Sequence, residues 1–432
     1  MKKVLLLGLC AALLFTAACG GDWNTVTSQG ACGACFPQAK AVNQVAAPVY
    51  PKGDEAQLEP IEGYEEMLNG LYAFSTRSAS ALLGKGQANA AYSPVSLYLA
   101  LTLSASGAAG NTLDEMYTTL GLSGRSKDEV AQFVNTLYRE LYGEEEYGHL
   151  YLFNSLWLST ENSFKQSFLQ GAKRHYFAEV FTVDPAQQGG DPISDWVARK
   201  TGGNLLRESV PVGDIVMNLV SVIDFYGEWT SQFNKERNTK GVFTLPDGTT
   251  VQAEYMNSGS SGGFYRGNGW TLASRSLKNG ARMSFILPDE GMDINDLLAD
   301  EVNVAAMLYP GDAEGVENFY GEIVWSVPKF DFQSSFRLVD MLKSLGMQSA
   351  FTFDADFSET SGLKPLFISD ARQASRVTVN ENGVSASAYT ELFYTGAGLP
   401  QDRAEMILNR PFAFVIDYNG VPLFVGVVNN PS

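Results

Sequence analysis

In residues 383–390 a glycine is followed by strict alternation. Val384, Ala386, Ala388 and Thr390 are small or β-compatible, and Ser385, Ser387 and Tyr389 fall between them. A period of two is strand patterning, and the small-residue face is narrow enough to be buried between layers that already exist. The continuation has a different character. Residues 391–401 carry Gly396, Gly398 and Pro400 and read as an exposed loop. A segment with the pattern of a strand and the setting of a loop could slip into a sheet, which suggests a switch.

The rest of the chain can supply that sheet. With 432 residues, 45% hydrophobic and 12% aromatic, it can bury a large core in one big domain or two ordinary ones. A formal charge of -18 repels phosphate backbones and anionic lipid surfaces, which argues against a nucleic-acid partner and leaves solubility as the ordinary use of the charge.

Lys2 and Lys3 precede an apolar run over residues 4–15 and then Thr16-Ala17-Ala18-Cys19, the layout of an export signal too short to span a bilayer permanently. The ending resembles a bacterial lipoprotein signal, in which Cys19 becomes the lipidated N-terminus, although Thr16 stands where leucine is usual. Plain cleavage and secretion is the alternative. The chain divides on this reading into a signal at 1–18, a tether at 19–59 containing Pro37, Pro48 and Pro51, and a folded domain at 60–432. Lipid would hold an otherwise soluble, monomeric protein on a bacterial envelope or surface. Cys32-Gly33-Ala34-Cys35 lacks the strand-to-helix setting of a redox motif and reads as a local disulfide between Cys32 and Cys35. Zinc would need further ligands, and two histidines in the whole chain do not supply them, so neither metal nor cofactor is expected.

Helical patterns come first. Asn111 can cap a helix bearing Leu113, Met116, Tyr117 and Leu120 and ended by Gly121. Ser126 with Glu129 forms a capping box before Val130, Phe133, Val134, Leu137 and Leu141, which is ordinary core spacing. Strand patterns dominate from about Leu219, including an Asp247-Gly248 turn and a C-terminal hairpin whose arms flank Asn419-Gly420. The order implies an α+β domain with mixed sheets and no internal repeat.

Catalytic constellations are weak. Gly259-Ser260-Ser261-Gly262-Gly263 has the letters of a nucleophile elbow, but His149 and His175 both precede it, and a flexible turn is the better reading. Glu144-Glu145-Glu146 reads as a solvated turn, and Asp289-Glu290 follows an apolar strand; paired acids alone do not make a glycosidase. No phosphate-cradling loop or metalloprotease helix is present.

Read together, several segments resemble the serpin family over about residues 60–432. They are Tyr92-Ser93-Pro94-Val95-Ser96, Ser106-Gly107-Ala108-Ala109-Gly110-Asn111-Thr112, Phe225-Tyr226-Gly227-Glu228-Trp229, Phe285-Ile286-Leu287-Pro288, Val327-Pro328-Lys329-Phe330, the stretch 381–390, and Arg410-Pro411-Phe412, all in family order. Ordered matches weigh far more than any single one. The resemblance implies a serpin fold of three β-sheets and about eight or nine helices with an exposed reactive loop. It also implies a suicide inhibitor of serine or cysteine endopeptidases, not a turnover enzyme. The protease cleaves the loop and is caught as an ester or thioester while the loop inserts into the main sheet.

On that resemblance, Glu381, Gly383, Val384, Ala386, Ala388 and Thr390 form the hinge and inserting strand, with Gly383 letting the chain bend. Trp229 lies near the insertion point, a simple core tryptophan being the competing reading. Ser93, Ser96, Ser221 and Gln373 form a polar network at the sheet centre. Inhibitory members favour Thr or Ser at the Val384 position and Glu at the Ser385 position; neither departure points a charge inward. The family often has Asn and His where this chain has Ser221 and Gln373, and Gln does not titrate near neutrality.

The usual spacing from Gly383 places the reactive bond at Ala397–Gly398, suited to an elastase-like or subtilisin-like enzyme. Counting back from Pro411 lands instead on Pro400; Phe393, Tyr394 and Arg403 are further options for other specificities. Two rival readings stay open, a noninhibitory serpin and a surface lipoprotein that captures ligands.

Overall fold

A helix buried on every side runs through the molecule. In Pro94–Ser106, each residue from Pro94 to Ala105 is buried, as an apolar sequence without a polar stripe requires. Ser93 caps it by accepting a hydrogen bond from the Ser96 amide, and Pro94 occupies the first turn, where no amide donor is needed. The computed structural model describes residues 42–51, 61–84, 86, 88–160, 163–184, 191–203, 205, 217–362, 364–384 and 402–432. They contain nine α-helices and two hydrogen-bonded sheet networks in an α+β fold. Among the described residues no helix is long and apolar enough to cross a membrane.

The first sheet has eight strands. Seven lie in the order Val42–Ala46, Ala178–Val183, Gly148–Ser159, Met217–Glu228, Gly383–Val384, Asp370–Val379 and Phe330–Arg337, with Gly143–Glu145 pairing onto Gly148–Ser159. The second network has nine strands. It is continuous because the 18-residue strand Thr250–Gly267 pairs along its length with Thr239–Thr244, Glu317–Pro328 and Trp270–Ser276. What would otherwise be a second and a third sheet are joined through that strand.

Local patterns explain the elements, and some depart from expectation. The Ser126 and Glu129 capping box forms, and Val130, Phe133, Val134, Leu137 and Leu141 are buried. Asn419 and Gly420 take positive φ, 50° and 80°, in the tight turn between Phe412–Tyr418 and Val421–Val428. Asn111 does not cap its helix. Gly110–Thr119 begins two residues earlier than that cap would place it, with Ala109 at the cap, and the Asn111 side-chain amide instead donates to Glu115. Gly121 does end that helix, at φ 70°, and a Cβ there would lie 2.6 Å from Gly70 Cα. The 259–263 stretch is no turn. It sits inside Thr250–Gly267, where Ser260 accepts from the Trp325 indole and is thereby tied to the sheet. Glu144 and Glu145 lie in a short hairpin strand, with Glu146 in the turn.

The stretch read as tether is not tether throughout. Val42–Ala46 adds an edge strand beside Ala178–Val183, and Tyr50 stacks on Tyr142 at 5.3 Å and donates to Glu179. Five residues of strand with three exposed positions leave too little alternation to read from sequence.

Candidate functional site

The centre of the eight-stranded sheet has two kinds of neighbour. At one end, Asp370–Gln373 pair directly and in parallel with Asn218–Ser221. At the other, the two-residue strand Gly383–Val384 lies between the same two strands: Val384 pairs with Val379 on one side and with Gly227 on the other. Between these rungs, Val222–Tyr226 and Ala374–Thr378 face each other without ladder pairing. The sheet is a slot, closed at one end and started at the other.

The hinge end is built from backbone and charge. Trp229 is fully buried; its amide donates to Asn382 O at 3.0 Å and its indole to Asn380 O at 2.9 Å. The Phe233 amide donates to Glu381 O at 3.0 Å, and Gln232 donates to Asn382 O at 3.3 Å. Trp229 is thus a core side chain that also holds the backbone at Asn380 and Asn382. Gly383 is required for a reason other than bending. Its φ is not positive, but a Cβ there would sit 2.3 Å from Gly227 O and 2.8 Å from Glu228 Cα. Close approach of two backbones, not a special dihedral, demands glycine.

Glu381 is buried, and its carboxylate meets Lys329 Nζ at 2.5 Å and accepts from Asn238 at 2.6 Å. Lys329 also pairs with Glu254 at 2.8 Å. Burial by itself would raise the Glu381 pKa; the Lys329 hydrogen bond, with the backbone and Asn238, reverses this and holds it below the ordinary value. Lys329 is likewise opposed by burial but carried above its usual value by its two carboxylates.

The closed end is neutral. The Ser93 amide donates to Gln373 Oε1 at 2.7 Å, and Gln373 Nε2 donates back to Ser93 O at 2.9 Å. Ser221 Oγ lies 2.5 Å from Ser96 Oγ, 2.8 Å from Asn154 Oδ1 and 2.9 Å from Ser96 O. One hydroxyl has one proton, so Ser96 donates to Ser221, which in turn donates to one of the other two acceptors. Asn154 Nδ2 is buried without a partner among the described residues.

Ser93, Ser96, Ser221, Gln373, Trp229, Glu381, Gly383 and Val384 thus all lie along one slot. Ala386, Ala388, Thr390, Ala397, Gly398, Cys19, Cys32 and Cys35 fall outside the described residues. Sequence reasoning missed Asn154 and Asn238, which carry no periodic signal, and gave Asn380 and Asn382 no role beside Glu381. Lys329 stood within a recognised motif without an assigned partner.

Comparisons with known proteins bear on the family and the fold. Residues 69–431 match the family model described as Serpin (serine protease inhibitor). Serpin-ZX of Hordeum vulgare is 30% identical over 390 residues, covering 83% of this chain and 95% of the relative. Neuroserpin of Mus musculus is 29% identical over 377 residues, covering 83% and 90%. The thermophilic serpin tengpin in its native state matches with a TM-score of 0.75 at 28% identity, covering 90% of this chain and 100% of that one. Thyroxine-binding globulin complexed with thyroxine shares the fold, with a TM-score of 0.72 at 23% identity and 84% and 99% coverage.

Proposed function

The chain belongs to the serpin family of serine protease inhibitors, and we propose that it acts as a suicide inhibitor of serine or cysteine endopeptidases, trapping the acyl-enzyme by loop insertion. Membership in an inhibitor family also means that it is not an enzyme. One observation carries the mechanistic reading: Val384 is 4% exposed and seated between the two strands that an inserting loop would part.

Continuing that antiparallel register gives each further residue a defined berth. Ala386 would oppose Phe225 and Val377, Ala388 would oppose Ile223 and Ser375, and Thr390 would oppose Ser221 and Gln373, all on the face that Val379 and Val377 bury. Leu392 would then oppose Leu219 and Ala371. About a dozen new ladder hydrogen bonds at roughly 1 kcal/mol net each amount to on the order of 10 kcal/mol, comparable with the stability of a whole domain. That is enough to deform a protease.

In this proposal cleavage falls at Ala397–Gly398, favouring elastase-like or subtilisin-like enzymes, and Cys19 carries lipid that anchors the inhibitor to a bacterial envelope or surface. The test is to incubate the mature chain with elastase, subtilisin, chymotrypsin and trypsin and combine denaturing gels with intact mass. A denaturant-resistant complex with elastase or subtilisin and a released peptide beginning at Gly398 is the expected result. Cleavage by every protease without any complex, and without a gain in thermal stability, overturns the insertion mechanism.

A further inference from the structure

Arg275, in strand Trp270–Ser276, is 8% exposed, and its guanidinium meets no carboxylate among the described residues. Nη1 donates to Ser258 Oγ at 3.1 Å, Nη2 donates to Ser231 O, and Nε is buried without a partner. Burial pulls its pKa down to about 9, which still leaves it charged at neutral pH. A buried cation with so few partners opposes folding, and an apolar side chain of the same length would fill the space without that penalty. Stability alone gives no reason for an arginine here.

Its contacts divide between two parts of the molecule. On the sheet side are Ser258 and Trp325, which pair in register across Thr250–Gly267 and Glu317–Pro328; the guanidinium carbon lies 5.4 Å from the Trp325 centroid. On the other side is the irregular turn over residues 229–233, where the chain leaves Met217–Glu228 and exposes Thr230 and Ser231. Arg275 meets this turn at its apex through Ser231 O. It also meets both limbs through their rings, Phe233 at 4.0 Å and Trp229 at 5.6 Å.

The same two limbs carry the amides that hold the backbone at 381 and 382, Trp229 donating to Asn382 O and Phe233 to Glu381 O. Two donors four positions apart can serve two consecutive carbonyls only while the turn between them keeps one shape. The Trp229–Leu277 bridge and the Thr230 amide on Ser276 O, at 2.9 Å, fix the first limb. The guanidinium spans both limbs and the apex, with a directional bond to one and a flat face for the others.

We propose that Arg275 is a positioning residue for trapping: it sets the shape of the 229–233 turn, so that the backbone at 381–382 is a fixed pivot for the inserting strand. The effect on trapping rests on the insertion reading; the hold on the turn does not. A pivot that wanders begins the first new rung from many orientations, and the entropy of fixing one slows insertion against hydrolysis of the acyl bond.

The experiment compares the uncleaved full chain with its Arg275→Met and Arg275→Lys variants. Hydrogen exchange at the Trp229 and Phe233 amides should quicken at least about tenfold in Arg275→Met, with the amides of Phe412–Tyr418 unchanged as the reference. The denaturant midpoint should hold or rise, because methionine removes a buried charge. Arg275→Lys keeps the charge without the flat fork and should quicken exchange about threefold. With a protease that the wild type traps, the ratio of trapped to cleaved chain should fall about tenfold in Arg275→Met, the size of one lost hydrogen bond. Unchanged exchange at both amides, or a lowered midpoint with exchange quickened equally in the reference strand, overturns the positioning role. Quickened exchange with an unchanged ratio overturns the link to trapping. Exchange needs no protease, so a wild type that traps no enzyme sinks the inhibitor reading, and the link to trapping with it, while the hold on the turn is decided by exchange alone.

Discussion

At the hinge end of the slot, Gly383, Val384 and Glu381 are gripped by the Trp229 and Phe233 amides and by the Lys329 ion pair. At the closed end, Ser93, Ser96, Ser221, Asn154 and Gln373 bind one another with no formal charge. The same two strands are therefore held in two currencies. Buried charges respond to pH and penalise the loss of one partner heavily, whereas hydroxyls and amides do neither between pH 5 and 8. Each end has its own failure mode.

Charge placed at the hinge gives the greatest expected effect. Val384→Arg puts an unpaired cation at a buried position, and covalent complex should fall more than about 100-fold while cleavage continues, as gels and intact mass would reveal. Undiminished complex would show that Val384 need not enter the sheet. Gly383→Ala comes next. Its methyl meets Gly227 O, so strain of about 1–3 kcal/mol should shift the outcome from trapped to merely cleaved chain.

Lys329→Met leaves Glu381 buried with only neutral partners, Asn238 and its own backbone. Because Lys329 is about a third exposed, a loss of about 1–2 kcal/mol is expected at pH 7, read from denaturant unfolding. The Glu381 pKa is depressed, so the stability it contributes is complete above the ordinary value of 4.5 and disappears as pH falls through the lower folded value. The gap between wild type and Lys329→Met should accordingly narrow below pH 4.5. A constant gap at every pH would mean that the pair is inert.

Changes at the closed end should be smaller. Ser221→Ala strands the Ser96 hydroxyl and should cost about 1 kcal/mol with no pH dependence between 5 and 8. Gln373→His would move titration to this end, making stability vary around the ordinary imidazole value of about 6.5; a flat profile would show that position 373 is insulated from the network.

Much of this architecture was legible in the chain because local rules carried it. The capping box at Ser126 and the Asn419-Gly420 turn each announce themselves within a few residues. What escaped were features made by sequence-distant partners. Asn238 and Glu381 are 143 positions apart, and the register of a two-residue strand has no pattern to read. The glycine stretch at 259–263 misled because composition favours a turn, while pairing on both flanks of Thr250–Gly267 makes it strand.

The first turn of the buried helix sets a clock. Its Ser93 holds Gln373 on one strand, and its Ser96 holds Ser221 on the other. Neighbouring strands lie about 4.8 Å apart, so a loop strand inserted between them as proposed would double their separation, well beyond the reach of about 3 Å over which a hydrogen bond survives. One grip must let go before the last rungs can form. On the proposed mechanism, how long that release takes, measured against hydrolysis of the acyl bond, would decide whether an attacking enzyme is arrested or departs with its cut made.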